Sequence, residues 1–333
     1  MKSGFLAFNR TCMGFFLLGL MGDAHAVFDQ AYIANFSSSS VSIVDTDTNT
    51  VVDTIAVGPN PLGLAVSQDG RRVYVTHINS ATLTIIDADG RTIIDTVMVG
   101  SGPSGVVVSR DGSRAYVTNR SAHSVSVVDT SINAVVDTIA VGTNPFGLAI
   151  NADGTRVYVA NSTSSTISVI NTETNMEIGT VMVGTNPADV ALSSNGMRAY
   201  CTNFGTNDLS VIDTDTLAVV ATIGVGTGPY GVVVNPSGTR VYVTNNTAGS
   251  VSIIDAGSNA TIDTVTVGTL PSGIAINDNG TQVYATNQGD GTVSVIDTAS
   301  NTVIDTILVG ADPFALGDFL GPQDSFFIGN FGD

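Results

Sequence analysis

Apolar and polar residues alternate along this chain in short runs, and each run stops at Gly, Asp, Asn or Pro. A period of two is the pattern of β-strands. Residues 61–102 show the unit. Pro61 opens a short strand, A, over 63–66, and Asp69-Gly70 is a tight-turn dipeptide. Strand B covers 72–76 and, after a polar loop, strand C covers 83–86. Asp87-Ala88-Asp89-Gly90 turns the chain, because Asp side chains bond their own backbone. Strand D covers 92–99 and ends at Gly100. Four antiparallel strands without a helix is the content of a propeller blade.

The unit recurs every 42 residues: Tyr32, Tyr74, Tyr116, Tyr158, Tyr200, Tyr242 and Tyr284 keep this spacing, as do the prolines from Pro61 to Pro313. Strand A carries small residues (Gly63, Ala65, Gly105, Gly147), as the inner edge of a wedge requires, whereas B and C read apolar on both faces. The fold class is therefore all-β, a seven-bladed β-propeller. Its full blades span 61–102, 103–144, 145–186, 187–228, 229–270 and 271–310. A composite blade combines 27–60 with 311–333, so that the ring closes when strand A at 313–316 joins the N-terminal B, C and D strands. Residues 327–330 echo a further strand B, shifted by one position.

The quartets Tyr116-Val117-Thr118-Asn119 and Tyr242-Val243-Thr244-Asn245 read YVTN, with variants such as Tyr32-Ile33-Ala34-Asn35 and Tyr74-Val75-Thr76-His77. With the Ser-Val-(Ile/Val)-Asp segments that follow them, the chain resembles the YVTN-repeat β-propeller family, including YncE-like exported bacterial proteins. The resemblance covers about residues 27–331. It implies the propeller fold and an exported or cell-surface location but no single activity, since related propellers include lactonases, dehydrogenase subunits and a single-stranded DNA binder.

The first 26 residues read as a secretory signal peptide: Lys2 and Arg10 flank a basic start, an apolar run covers 12–21, and Ala24-His25-Ala26 is a small-x-small cleavage site. The run is too short for a membrane span of about 20 residues. The expected mature chain, 27–333, is a periplasmic, cell-surface or secreted protein without membrane insertion. It keeps 28 acidic and 9 basic side chains, a net charge of −19, and a lone Cys201. A basic surface for nucleic acid is absent from such a composition, so no nucleic-acid partner is expected.

Function in a repeat scaffold is sought where one face breaks the repeat. The B–C and D–A loops share a face. His77 stands where most units have Asn, His123 lies in the next B–C loop, and Asp189 replaces the Gly of Pro-x-Gly. The x position varies through Leu62, Ser104, Phe146, Ala188, Tyr230, Ser272 and Phe314, which are expected to ring the channel mouth or plug the hub. The candidate partner-binding residues are His77, Asn119, His123, Phe146, Asp189, Tyr230 and Phe314. Asp45-x-Asp47-x-Asn49 starts like a calcium loop but lacks its Gly and final acid, and reads as a turn. Haem, zinc, phosphate-loop and nucleophile-elbow motifs are missing, so no catalytic residue, metal or cofactor is assigned. The expected function is a non-enzymatic scaffold binding a protein or glycan partner through the B–C/D–A face. The alternatives are a lactonase-like hydrolase or lyase in the central channel, and a structural cell-surface component.

Overall fold

The computed structural model describes residues 29–322; the expected leader over 1–26 and the strand echo over 327–330 lie outside the described residues. The first complete blade is β4 (Pro61–Val66), β5 (Arg72–His77), β6 (Thr82–Asp87) and β7 (Thr92–Met98), hydrogen-bonded in that order as an antiparallel sheet. The same sheet recurs to β27 (Thr302–Leu308), preceded by a three-stranded sheet of β1 (Gln30–Asn35), β2 (Ser40–Asp45) and β3 (Thr50–Ala56). The chain is a seven-bladed propeller. Its A strands pack side by side around the axis, and its D strands form the rim.

Burial explains the residue choice at each strand position. Strands B and C are buried almost throughout because a neighbouring blade covers each face, whereas in β7 only Val97 is buried. One interblade core joins Tyr74, Leu83, Ile85 and Val97 to Val106, Ala115, Val117 and Val128 of the next blade. Each such side chain contributes about 1.5–3 kcal/mol when removed from water, and a lone blade leaves both faces wet. At the hub the A strands approach so closely that a Cβ on Gly63 would lie 2.0 Å from the Ser104 carbonyl oxygen. Glycine is required there.

The acidic excess belongs largely to this scaffold. Asp45 Oδ1 accepts the Asp47 and Thr48 amides, so the calcium-like segment is a hydrogen-bonded turn. On the rim, Asn133, Asn175 and Asn301 each donate to the strand-D Asp of the preceding blade (Asp95, Asp137, Asp263) at 2.9–3.0 Å, and Arg91 pairs with Asp53 at 3.2 Å.

Ring closure departs from the expected regular strand at 313–316. Asn35 bridges Pro313 as in other blades, but Ala31 bridges Leu320, two residues later than the repeat spacing predicts. The extra length arches across to β4: Leu64 N–H donates to the Leu316 carbonyl (2.9 Å) and Val66 N–H to that of Asp318 (3.1 Å). Gly317 sits at φ +114°, where a Cβ would meet the Leu64 carbonyl at 2.5 Å. One strap thus ties the last blade to the first complete one.

Candidate functional site

On the B–C/D–A face the axis is closed. Leu62, Phe146, Phe314 and Leu316 are buried together, with Phe36, Ile78 and Tyr230 packed against them. Around the ring, large and small side chains alternate at the x position from Leu62 to Phe314, with Ser104, Ala188 and Ser272 separating Leu62, Phe146, Tyr230 and Phe314. This alternation leaves room for three rings on one axis. Tyr230 stands edge-on to Phe146 and Phe314 (both 5.5 Å between centroids) and to Phe204 (6.2 Å), geometries worth about 0.5–1.5 kcal/mol beyond area burial. Burial pushes the Tyr230 phenol above its ordinary pKa. The Arg120 guanidinium lies 5.3 Å from the Phe146 centroid, and its Nε donates to Asn144 Oδ1. Thus Phe146, Tyr230 and Phe314 form a plug, not an open rim.

The plug has an exposed shoulder. Phe204 is 37% exposed and Leu270 46%, while Phe36, Ile78 and Tyr230 are partly open. Few charges surround it. Among the described residues Arg120 is the sole arginine in a B–C or D–A loop; the others follow A–B or C–D turns on the opposite face. His123 is exposed there, its Nδ1 accepting the Asn144 amide at 3.1 Å. Asp208, Asp290 and Asp312 complete the charged groups of these loops and accept hydrogen bonds from Asn203, Thr269 and Ser37.

Two candidates require correction. His77 and Asn119 are fully buried and offer no surface. Asn119 Nδ2 donates to Ser124 and Ser126, as Asn35, Asn161 and Asn245 do to equivalent hydroxyls. His77 takes the same place, with Nε2 2.8 Å from Thr84 Oγ1 and Nδ1 3.2 Å from the Pro59 carbonyl. Burial holds its pKa below the ordinary imidazole value. Both residues hold the B and C strands of one blade together. No hydrogen bond joins His77, His123 and Asp189, so the structure does not assemble them into one constellation.

Asp189 is the third correction: its carboxyl lies behind the plug, not on the plugged face. A cavity of about 530 Å³ runs up the axis from the opposite face, walled by Val108, Ile150, Leu192, Val234 and Ile276, and Asp189 lines its inner part. The side chain is 8% exposed. Val232 N–H donates to Oδ2 (3.3 Å), and Oδ1 occupies the space that a Cβ at Gly147 would fill. Desolvation pushes the carboxyl up to about 7. Asp318, carried into the channel by the closing strap, is open to channel water, yet the enclosing blades and then Asp278 push it up to about 6. Cys201 is buried and its thiol is pushed up by burial, then by Asp189 and Asp208.

Phe36, Ile78, Arg120 and Phe204 were not among the residues expected from the sequence. They share one signal, since each follows the Asn (or His77) that ends the YVTN quartet, a position otherwise held by Ser162, Asn246 and Gln288. Asp318 carried no signal, because the two-residue slip displaces it from its repeat partners.

Seven antiparallel four-stranded blades around a plugged axis define a β-propeller of the repeat-built class. Two family models match the sequence: the YNCE-like beta-propeller over residues 8–108, and the Lactonase, 7-bladed beta-propeller over residues 91–182. Together they support the YncE-like propeller family read from the YVTN quartets. No curated protein matches. Among solved structures, Kuenenia stuttgartiensis hydrazine synthase superposes with a TM-score of 0.78 at 23% identity, over 81% of this chain and 93% of that one. A functionally unknown protein from Desulfotomaculum acetoxidans gives 0.79 at 17% identity, over 89% of this chain and 100% of the other. Dihydro-heme d1 dehydrogenase NirN in complex with DHE gives 0.61 at 16% identity, over 84% of this chain and 64% of the other. At these identities the likeness is one of fold.

Proposed function

We propose that this protein is an exported binding scaffold that holds a protein partner on its plugged face, around Phe204 and Tyr230. The observation that carries the reading is the aromatic cluster itself. In a chain built from near-identical repeats, the aromatic residues that break the repeat converge at the centre of one face, and some stay open to water. An aromatic and Arg centre, poor in charge and rimmed by Asn, Ser and Thr, is the anatomy of a protein contact surface. Exposed apolar groups gathered in one place mark interaction sites. The opposite face carries the remaining arginines and most turn carboxylates, which suits solubility.

The test is capture by immobilised 27–333 from the envelope and secreted fractions of the source cell, against Phe204→Ser and, on the other face, Arg110→Ala. The reading expects a saturable protein partner lost about tenfold or more with Phe204→Ser, the scale of a hot-spot truncation, and retained with Arg110→Ala. A glycan as the sole saturable ligand, or a partner indifferent to Phe204→Ser, overturns it.

A further inference from the structure

The axial cavity carries a second, independent site. It is closed at its inner end by the plug and opens only on the face opposite the partner surface. Its walls come from the A strands: Val and Ile side chains with Leu148, Leu192 and several alanines. Its volume of about 530 Å³ is within the range of small-ligand pockets, which mix an apolar lining with a few polar groups. Three carboxyls, Asp189, Asp278 and Asp318, are among those groups, with Asp278 beside Asp318, and Asp189 and Asp318 break the repeat. Asp189 stands where five blades carry Gly and the closing strap carries Ala315, and Asp318 rides on the slipped strap.

Asp189 is more than nine-tenths buried and lines the cavity, and among the described residues its carboxyl is met by the backbone amides of Val190 and Val232 and by no cationic side chain. A carboxylate desolvated without a cation is a costly arrangement, and a ligand that supplies the cation removes the cost. Asp318 faces the same cavity from the last blade, three blades away around the ring and about two residue levels closer to the mouth. At 3.3 Å per strand residue that is about 7 Å along the axis. Two oxygen-bearing side chains so separated supply far fewer ligands than the 6–8 oxygens a calcium ion takes. They suit a molecule with a positive charge at each end and hydrocarbon between.

We propose that the channel binds an aliphatic diamine, with one ammonium hydrogen-bonded to Asp189 at the closed end and the other held by Asp318. Arg110, at the mouth, opposes entry of a cation and tempers the affinity.

The experiment is titration calorimetry of the mature protein with cadaverine, and with pentylamine as the single-charge control, on the parent, Asp189→Asn, Asp318→Asn and Arg110→Ala. The parent is expected to bind cadaverine saturably and about tenfold or more tighter than pentylamine, since a hydrogen bond between charged groups contributes that much or more. Asp189→Asn loses about tenfold for both amines. Asp318→Asn brings cadaverine down to the level of pentylamine, and Arg110→Ala tightens both. Asp189→Gly, the residue of five other blades, serves in place of Asp189→Asn should that variant fail to fold. Absence of saturable binding to the parent, equal affinity for the two amines, or unchanged binding in both Asp189 variants overturns the proposal. Because Phe204→Ser leaves the channel walls intact, its effect on partner capture is read separately.

Discussion

Replacing Asp189 by Asn tests whether the channel interior is as dry as its walls indicate. The folded protein holds this carboxyl at about 7 against an ordinary 3.8, the cause being desolvation with only the Val190 and Val232 amides as partial compensation. A group whose folded pKa is raised binds its proton more tightly folded than unfolded. Between pH 4 and 7 the folded state therefore carries the extra proton, and stability falls as pH rises, by about 1.4 kcal/mol per unit. Summed over about three units, the charged form costs about 4 kcal/mol, fully expressed above pH 7 and absent below pH 4. The surface aspartates act in the opposite sense and at lower pH: Asp111, held down to about 2 by Ser109 and Ser113, contributes stability that is lost as pH falls through the acid range. The assay is urea unfolding followed by circular dichroism from pH 4.5 to 8.5, for the parent and Asp189→Asn. The variant is expected to gain on the parent steadily with pH, by several kcal/mol at pH 8, and to match it closely near pH 4.5. A difference between the two that does not change with pH refutes the reasoning, because a solvated carboxyl shows no such slope.

Three further predictions concern the scaffold and the plug. Asn245→Ala removes the amide donor to the buried Ser250 hydroxyl and leaves Ser252 Oγ with only the Gly226 N–H, and is expected to cost about 1–3 kcal/mol in urea unfolding; His77→Asn, which restores the repeat residue, is expected to stay within about 1 kcal/mol of the parent and to leave partner capture unchanged. Tyr230→Ala removes the ring that touches Phe146, Phe204 and Phe314; a loss of about 3 kcal/mol and loss of partner capture are expected together. Gly317→Ala forces a side chain against the Leu64 carbonyl at a left-handed φ, so hydrogen exchange should rise first at β1 and β4, where the strap is bonded.

Most of the fold was legible because each blade repeats the same solution to the same packing problem. Tyr74 and its six equivalents recur every 42 residues because every blade presents strand B to a neighbour in the same way. The plug was legible for a related reason: Phe146, Tyr230 and Phe314 share the one position of strand A that reaches the axis beneath the D–A loops. What failed was the reading of single substitutions. His77 replaces Asn119's counterpart and looked like chemistry, yet its ring spans the same gap between strands that the amide spans elsewhere. Asp189 follows Pro187 by two residues, and its loop position suggested the plugged face. Only the depth of the A strand behind the aromatic rings shows that its carboxyl belongs to the other end of the channel. Asp318 was hidden by register: Leu320, not Asp318, meets Ala31, and a slip of two residues cannot be read from a repeat that ends there.

The most direct test of the account is to map, by cross-linking and mass spectrometry, where a captured protein sits on the disc. The account predicts cross-links at loops around Phe36, Phe204 and Leu270 on the plugged face, lost with Phe204→Ser and preserved with Arg110→Ala. Cross-links confined to the arginine-bearing turns of the opposite face, or unchanged by Phe204→Ser, contradict it.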